Sequence, residues 1–212
     1  MKMQMLSTQL FGENIFVIWD ETSLEAAVID PGMMRNEEYE ELEAVIADRQ
    51  LKVKYVLLTH AHVDHACAAR WTAEKFGAAV HGSMLDAMWA NAMPQQAEMF
   101  HLPIRPQALT IDHALEEGQV LCLGNVEIQV IATPGHTEGG LVFYAPKDGV
   151  AFVGDTIFLG SVGRTDLPGG DMRTLVESIR TKVFALPAET VLYPGHGPKT
   201  TVAYERENNP YA

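Results

Sequence analysis

The sequence predicts an α/β fold in one domain spanning residues 1–212. Three observations carry this. Apolar runs of strand-forming residues alternate with stretches whose apolar residues recur at helical spacing. No linker-like or low-complexity segment divides the 212 residues, a length suited to one domain. The tripeptide Pro-Gly-His occurs at 134–136 and again at 194–196, each time after an apolar strand, a faint echo of a duplicated architecture.

In chain order, residues 3–9 and 14–19 predict the first two strands, with Phe16, Val17 and Ile18 as strong strand formers. EAAVID at 25–30 is a third, stopped by Pro31-Gly32. Tyr39, Leu42, Val45 and Ile46 recur at helical spacing and predict a helix over 36–49. Val53 to Leu58 reads as a buried strand. A helix is predicted over 64–76, with Asp64 near its positive N-terminal end and Gly77 just beyond it. Leu85, Met88, Trp89 and Ala92 predict another helix over 83–93, and Pro94, Pro103 and Pro106 predict loop over 94–108. Strand patterning returns over 119–131 and 140–153. A helix over 171–184 buries Leu175, Val176 and Ile179, and a last short strand covers 190–193.

Composition narrows the function classes. Fifteen Lys and Arg stand against 28 Asp and Glu, a net charge of −13. A nucleic-acid partner, which needs a basic surface to replace counterions, is not expected, and neither is an anionic membrane surface. No run reaches the length of a transmembrane helix. Cys67 and Cys122 are 55 positions apart with no CxxC pattern, so both read as reduced thiols. Cys67, flanked by Ala66, Ala68 and Ala69, reads as a small core residue. The first residues lack an apolar signal-like core, and a cytoplasmic location is expected.

The chemistry concentrates in histidines. Thr59-His60-Ala61-His62-Val63-Asp64-His65 places four metal-ligand candidates on a strand-to-helix loop. Alternate positions of extended backbone point the same way, so His60 and His62 can reach one ion. Asp64 and His65 follow the turn into the helix and can reach a second point. His136, Asp155 and His196 each follow an apolar strand and each has glycine beside it, which lets backbone approach a buried ion closely. Imidazole with carboxylate suits Zn²⁺, Mn²⁺ or Fe²⁺. Two four-coordinate ions fit the set: His60, His62 and His136 for the first; Asp64, His65 and His196 for the second; Asp155 between them. Zinc is the leading expectation, with iron or manganese as alternatives. His81, His101 and His113 lie outside the set. Ser83 and Ser161 have no free histidine to activate them.

With THAHVDH at 59–65, His136, Asp155 and His196 in this order, the sequence resembles the metallo-β-lactamase superfamily. TPGHTEGG at 133–140, GDTIFLGSVGRTDLPGG at 154–170 and YPGHGPKTTVAYERENNPY at 193–211 resemble glyoxalase II, the hydroxyacylglutathione hydrolases, in their short bacterial form. The resemblance implies a four-layer αββα sandwich with the metals at one edge between two sheets. It implies hydrolysis of S-D-lactoylglutathione or a related glutathione thioester by water activated between two ions, with Asp64 and Asp155 catalytic. Longer members carry a C-terminal helical segment with basic contacts to glutathione, which the 16 residues after His196 do not match. A mononuclear iron persulfide dioxygenase, or a lactonase-like or β-lactamase hydrolase, is the alternative within the same superfamily.

Supporting residues follow. Asp30 resembles the family's first-motif aspartate, which steadies the metal ligands, and Thr59 has a similar claim; a plain Asp-Pro-Gly turn is the competing reading of Asp30. Arg164 is expected to hold a glutathione carboxylate by a two-pronged hydrogen bond, or else to pair with Asp166. The Met-rich helix 83–93 reads as core that also walls the acyl pocket, and Tyr144 and Tyr193 read as core.

Overall fold

The computed structural model describes residues 1–212. Its first sheet orders β1 (Lys2–Ser7), β2 (Asn14–Trp19), β3 (Glu25–Ile29), β4 (Lys52–Leu57), β5 (Ala79–Gly82) and β6 (His113–Ala114). β1 to β3 are antiparallel and β3 to β6 parallel, with crossovers through helices. The second sheet runs β14-β13-β10-β9-β8-β7. Its strands are β7 (Val120–Leu123), β8 (Val126–Ala132), β9 (Leu141–Ala145), β10 (Val150–Gly154), β13 (Val191–Pro194) and β14 (Thr200–Thr201). Between β10 and β13 lies a small hairpin of β11 (Ile157–Phe158) and β12 (Ser161–Val162).

The strand sequences explain why the sheets stack. Every residue of β2 is buried. Its side chains alternate: Phe16 and Ile18 join Ile128, Phe143 and Phe152 between the sheets, while Ile15 and Val17 pack outward with Leu42, Val45 and Ile46. A strand apolar on both faces needs cover on both sides. Helix α1 (Asn36–Asp48) supplies the outer cover of β2. Over the far half of the first sheet, α3 (Ala69–Phe76), α4 (Ala87–Asn91) and α5 (Met93–Met99) contribute Ala73, Trp89 and Met93 against Val56 and Val80. Leu175 and Ile179 of the next helical segment cover Val142, Ala151 and Val153 of the second sheet. The layers are helix, sheet, sheet, helix, the expected αββα sandwich.

Several expected boundaries change. The helix over 64–76 is two pieces, α2 (Val63–Ala66) and α3, because the Ala68 N–H donates to Pro31 O at 3.1 Å instead of continuing the first helix. The helix over 83–93 begins as a 3-10 turn at Met84–Asp86, capped by Ser83. The loop expected over 94–108 opens with α5: Pro94 falls in its first turn, where a missing N–H costs nothing. Strand 119–131 is a hairpin, folded about Gly124 into β7 and β8, and 140–153 divides into β9 and β10. The last long helix is α6 (Met172–Ser178) followed by a π-helical stretch, Ile179–Val183. β5, β6, β14 and α7 (Val202–Asn208) were not expected.

Cys67 and Cys122 are unpaired thiols. The Cys67 S–H donates to Met33 O at 3.3 Å, and burial raises its pKa well above the usual thiol range. No helix is long and apolar enough to cross a membrane.

Candidate metal centre

The ligand candidates all stand at one end of the sandwich, where strands of both sheets finish. β4 ends at Leu57 and delivers His60, His62, Asp64 and His65; β8 delivers His136, β10 Asp155, and β13 His196. The structure brings all seven together. His60, His62 and His136 form one group and Asp64, His65 and His196 another, each with its ligand atoms within 4.8 Å of one another. In the first, His60 Nε2 and His136 Nε2 are 3.2 Å apart. In the second, His65 Nε2 and His196 Nε2 are 3.2 Å apart, and His196 Nε2 is 3.3 Å from Asp64 Oδ2. Asp155 stands between, with Oδ1 3.4 Å from His65 Nε2 and Oδ2 3.6 Å from His136 Nε2.

The nitrogens on the far sides of the rings explain why these atoms face inward. His65 Nδ1 is 3.1 Å from Asp30 Oδ2, His136 Nδ1 2.7 Å from Arg164 O, and His196 Nδ1 3.2 Å from Phe11 O. Each partner is an acceptor only, so each Nδ1 carries the proton and donates it. The Thr59 hydroxyl donates to Asp30 Oδ2 at 2.5 Å and accepts from His60 Nδ1 at 3.1 Å. Four imidazoles are thereby oriented with Nε2 turned to the centre, so that this nitrogen is the one left to bind a metal once it carries no proton. The 3.2 Å separations match the edge of a tetrahedron built on bonds of 2.0–2.1 Å, roughly 3.3 Å. Asp155 Oδ1 is buried with no hydrogen-bond partner. These residues fit divalent ions.

Asp30 also falls geometrically with His60 and His65. Its oxygens are already occupied by the Thr59 N–H at 2.7 Å, the Thr59 hydroxyl and His65, so it holds ligands in place. Its φ of 51° lies in the left-handed region, an arrangement Asp tolerates better than most residues.

Electrostatics divide the centre. Burial, reinforced by neighbouring imidazoles, drives the His60 pKa well below the ordinary histidine value and His62 down to about 3. Both are neutral ligands. Burial also disfavours a charge on His65, but Asp155, Asp64 and Asp30 outweigh it and hold its pKa well above 6.5. His196 is raised against burial by Asp64 and Asp155. Burial opposes the charge on Asp155 and Asp64 too, yet His65 and its neighbours pull both below the usual carboxylate range. The second group thus stores protons on histidine and negative charge on carboxylate.

Two unexpected residues tie the loops together. Asp86 is buried and accepts from the Ala61 N–H at 3.1 Å, the Thr137 hydroxyl at 2.9 Å and the Gly139 N–H at 2.8 Å. It clasps the loop of His60 to the loop of His136. Gln96 accepts from the Val63 N–H at 2.9 Å and donates to Ala61 O at 3.1 Å and Trp89 O at 2.8 Å. A polar residue inside the apolar helical stretch over 83–93 was the signal for Asp86; Gln96 fell in the stretch read as loop and carried none. Glu13 is fully buried near Gly32 with neither oxygen partnered, and burial raises its pKa well above the carboxylate range.

A cavity of about 230 Å³ opens over the cluster. Val63, Phe11, Phe100 and Leu167 wall it, with His62, Asp64, His136, Asp155 and His196 exposed to it and Arg164 at its edge. Arg164 pairs with Asp166, Nε to Oδ1 at 2.7 Å and Nη2 to Oδ2 at 2.8 Å. Of the Met-rich helix, Trp89 packs edge-on to His62 at 4.6 Å between ring centres, while Met84, Leu85 and Met88 are exposed. His81, His101 and His113 stay outside both groups; the His81 and His113 rings lie 4.7 Å apart on β5 and β6.

Comparison with known proteins bears on this geometry. Residues 8–196 match the model of the metallo-β-lactamase superfamily. The hydroxyacylglutathione hydrolase GloC of Haemophilus influenzae is 37% identical over 212 residues, covering 100% of this chain and 98% of the relative. Among solved structures, the BLEG-1 B3 metallo-β-lactamase superposes with a TM-score of 0.88 at 33% identity, covering 99% of each chain. TTHA1623, in a di-iron-bound form, superposes at 0.87 with 34% identity, covering 99% of this chain and 100% of that one. The two solved structures share the sandwich, and the names of the three relatives point to different activities or none. A His/Asp cluster suited to divalent metals, set at the mouth of an αββα sandwich and matched by a family model over most of its length, makes this chain a member of the metallo-β-lactamase superfamily of metal-dependent hydrolases.

Proposed function

We propose that the chain is a two-metal thioester hydrolase acting on S-D-lactoylglutathione or a related acyl-glutathione. The observation that carries this reading is Asp155, shared between two ligand groups 3.2 Å across that both open onto one small apolar-walled cavity. The full-length likeness to GloC supports the substrate class. Zinc is the proposed metal, with iron as the alternative that the di-iron neighbour supports.

His60, His62 and His136 would hold one ion, Asp64, His65 and His196 the other, with Asp155 reaching both. When bound, such ions polarise a carbonyl oxygen and bring the pKa of water from 15.7 to about 7. The rest is the chain's own work. Asp30, Thr59 and the carbonyls of Phe11 and Arg164 hold the imidazoles in the ligating tautomer. Asp64 and Asp155, held as carboxylates, form the reacting end of the cavity. Val63, Phe11, Phe100 and Leu167 exclude bulk water from the acyl group. A thiolate leaves a thioester readily, so no strong general acid is needed at the sulfur. Arg164 is the residue proposed to meet a substrate carboxylate; it would do so by exchanging part of its pair with Asp166, a trade of one carboxylate for another that adds little affinity.

The test is steady-state turnover of S-D-lactoylglutathione by protein whose metal content has been measured. Nitrocefin, a lactone and glutathione persulfide run in parallel, the last in an oxygen electrode. Thioester cleavage that follows metal loading to two ions per chain is expected. Oxygen uptake on the persulfide with one iron per chain and no thioester cleavage would overturn the reading.

A further inference from the structure

We propose that the site recognises the acyl group and the sulfur of its substrate and leaves the thiol carrier in solvent, so that it hydrolyses small acyl-thioesters whatever thiol carries them. This rests on the thioester-hydrolase reading and narrows it.

Size is the first argument. The cavity above the ligand cluster is about 230 Å³. This lies below the ≈ 300–1,000 Å³ typical of pockets that enclose a drug-sized ligand. A short acyl chain with its carbonyl and sulfur fills it. A tripeptide such as glutathione does not fit beside them.

Charge is the second. Glutathione carries two carboxylates and one ammonium, so a site that reads it needs fixed cations. Arg164 is the only lysine or arginine lining the cavity. Both arms of its guanidinium are engaged by Asp166, at 2.7 and 2.8 Å, and the pair is more than half exposed. Pulling Arg164 onto a substrate carboxylate trades one carboxylate for another and gains little. The chain as a whole, at −13, repels an anionic carrier.

The walls are the third. Phe11 comes from the β1–β2 loop, Phe100 from the end of α5 and Leu167 from the loop before α6. They present apolar edges where the acyl chain lies and no donor for a peptide backbone. Phe11 and Phe100 are each 37% exposed, so both stand at the rim. Phe100 makes none of the hydrogen bonds that hold the ligands, so truncating it tests the rim's hold on acyl length without disturbing them.

One acyl group on three carriers tests this. D-lactoyl thioesters of glutathione, coenzyme A and N-acetylcysteamine are assayed with the metal-loaded protein in 0.15 M salt. The expected kcat/KM values agree within about tenfold, whereas a site built to hydrogen-bond its carrier would reject the truncated one by 10⁴–10⁵. Phe100→Ala is expected to shift preference from lactoyl toward hexanoyl thioesters by about tenfold, equally on all three carriers. A preference for glutathione beyond tenfold overturns this proposal and leaves the hydrolase reading standing. So does a Phe100→Ala effect confined to one carrier. Failure to cleave any of the three overturns both.

Discussion

At the scale of single residues, Asp155 carries the heaviest demand. It is the only carboxylate within 4 Å of nitrogens of both groups, and it is held ionised. Asp155→Asn is expected to lose both metal and turnover by more than about a hundredfold, the upper end of what loss of a ligand's supporting partner costs. Metal analysis beside the thioester assay checks it; unchanged metal with unchanged turnover would remove Asp155 from the centre. Asp86 acts through position. Asp86→Ala strands three donors, the N–H groups of Ala61 and Gly139 and the Thr137 hydroxyl. At ~1–3 kcal/mol for each buried group left unpaired, softened by relaxation, a net loss of about 3 kcal/mol follows. That corresponds to a melting point about 6–12 °C lower, together with weaker metal binding. A thermal scan that leaves the midpoint unmoved would mean that other groups take over the clasp. The histidines set a pH dependence. His65 and His196 have raised pKa values without metal, so they hold protons that an incoming ion must displace. Metal affinity is therefore expected to fall as pH drops, and binding to release a measurable number of protons per chain. Calorimetry in two buffers of different ionisation enthalpy measures that number directly.

Elements bring these residues together, and glycine decides how closely they approach. A Cβ on Gly195 would lie against His65 Cε1 and 2.5 Å from Asp155 Oδ1, so the turn after β13 can reach the centre only without a side chain. Gly195→Ala is expected to keep the fold, at an overpacking cost of about 1–3 kcal/mol, while lowering occupancy of the His65 and His196 group. Metal stoichiometry falling from two toward one would show it; retention of two ions at full affinity would refute it. This approach was legible in the sequence, because Gly195 sits beside His196 in a strand-end turn. The strands were legible too. β2 and β3 are dense in strand formers, and their alternation survives even where both faces are buried. The seven ligand candidates were marked by their chemistry, which does not depend on knowing exact helix ends. What escaped was set by long-range partners. The break between α2 and α3 depends on Pro31 O, 37 positions before the Ala68 that it captures. Asp86 looks like a misplaced polar residue until the backbone it satisfies arrives from 25 and 53 positions away, and Gln96 looks like an ordinary loop residue until Val63 and Ala61 arrive from 33 and 35 positions away. α5 was hidden by Pro94, whose helix-breaking character does not apply in a first turn. The rim of the cavity, Phe11 and Phe100, comes from two segments that no local pattern connects.

At the scale of the molecule, charge and cross-linking dominate. A net charge of −13 opposes an anionic substrate over distances that salt screens. With glutathione thioesters, kcat/KM is expected to rise mildly between 0.01 and 0.15 M ionic strength, as the screening length shortens from about 30 to about 8 Å. The neutral N-acetylcysteamine thioester should show a flat profile, and a fall in rate for the anionic substrate would reveal a local cationic field that outweighs the bulk. Metal removal reaches further. The ligand candidates come from the ends of β4, β8, β10 and β13, so ions held there would join both sheets of the sandwich at one end. Only the folded chain brings these residues together, so binding energy becomes folding energy. At a free metal concentration 1,000 times the dissociation constant the gain is about 4.1 kcal/mol for one site. For a chain of this length each kcal/mol moves the midpoint by about 2–4 °C, so chelation should lower it by about 8–16 °C. The first sheet keeps its own outer core around Leu42 and Val45, which contains no ligand, so the metal-free protein should still unfold cooperatively at that lower temperature. Thermal scans of chelated, zinc-reloaded and Asp155→Asn protein separate the contributions. The variant should melt near the chelated protein and respond little to zinc, and a midpoint indifferent to chelation in the unmodified protein would place the ions outside the stabilising framework.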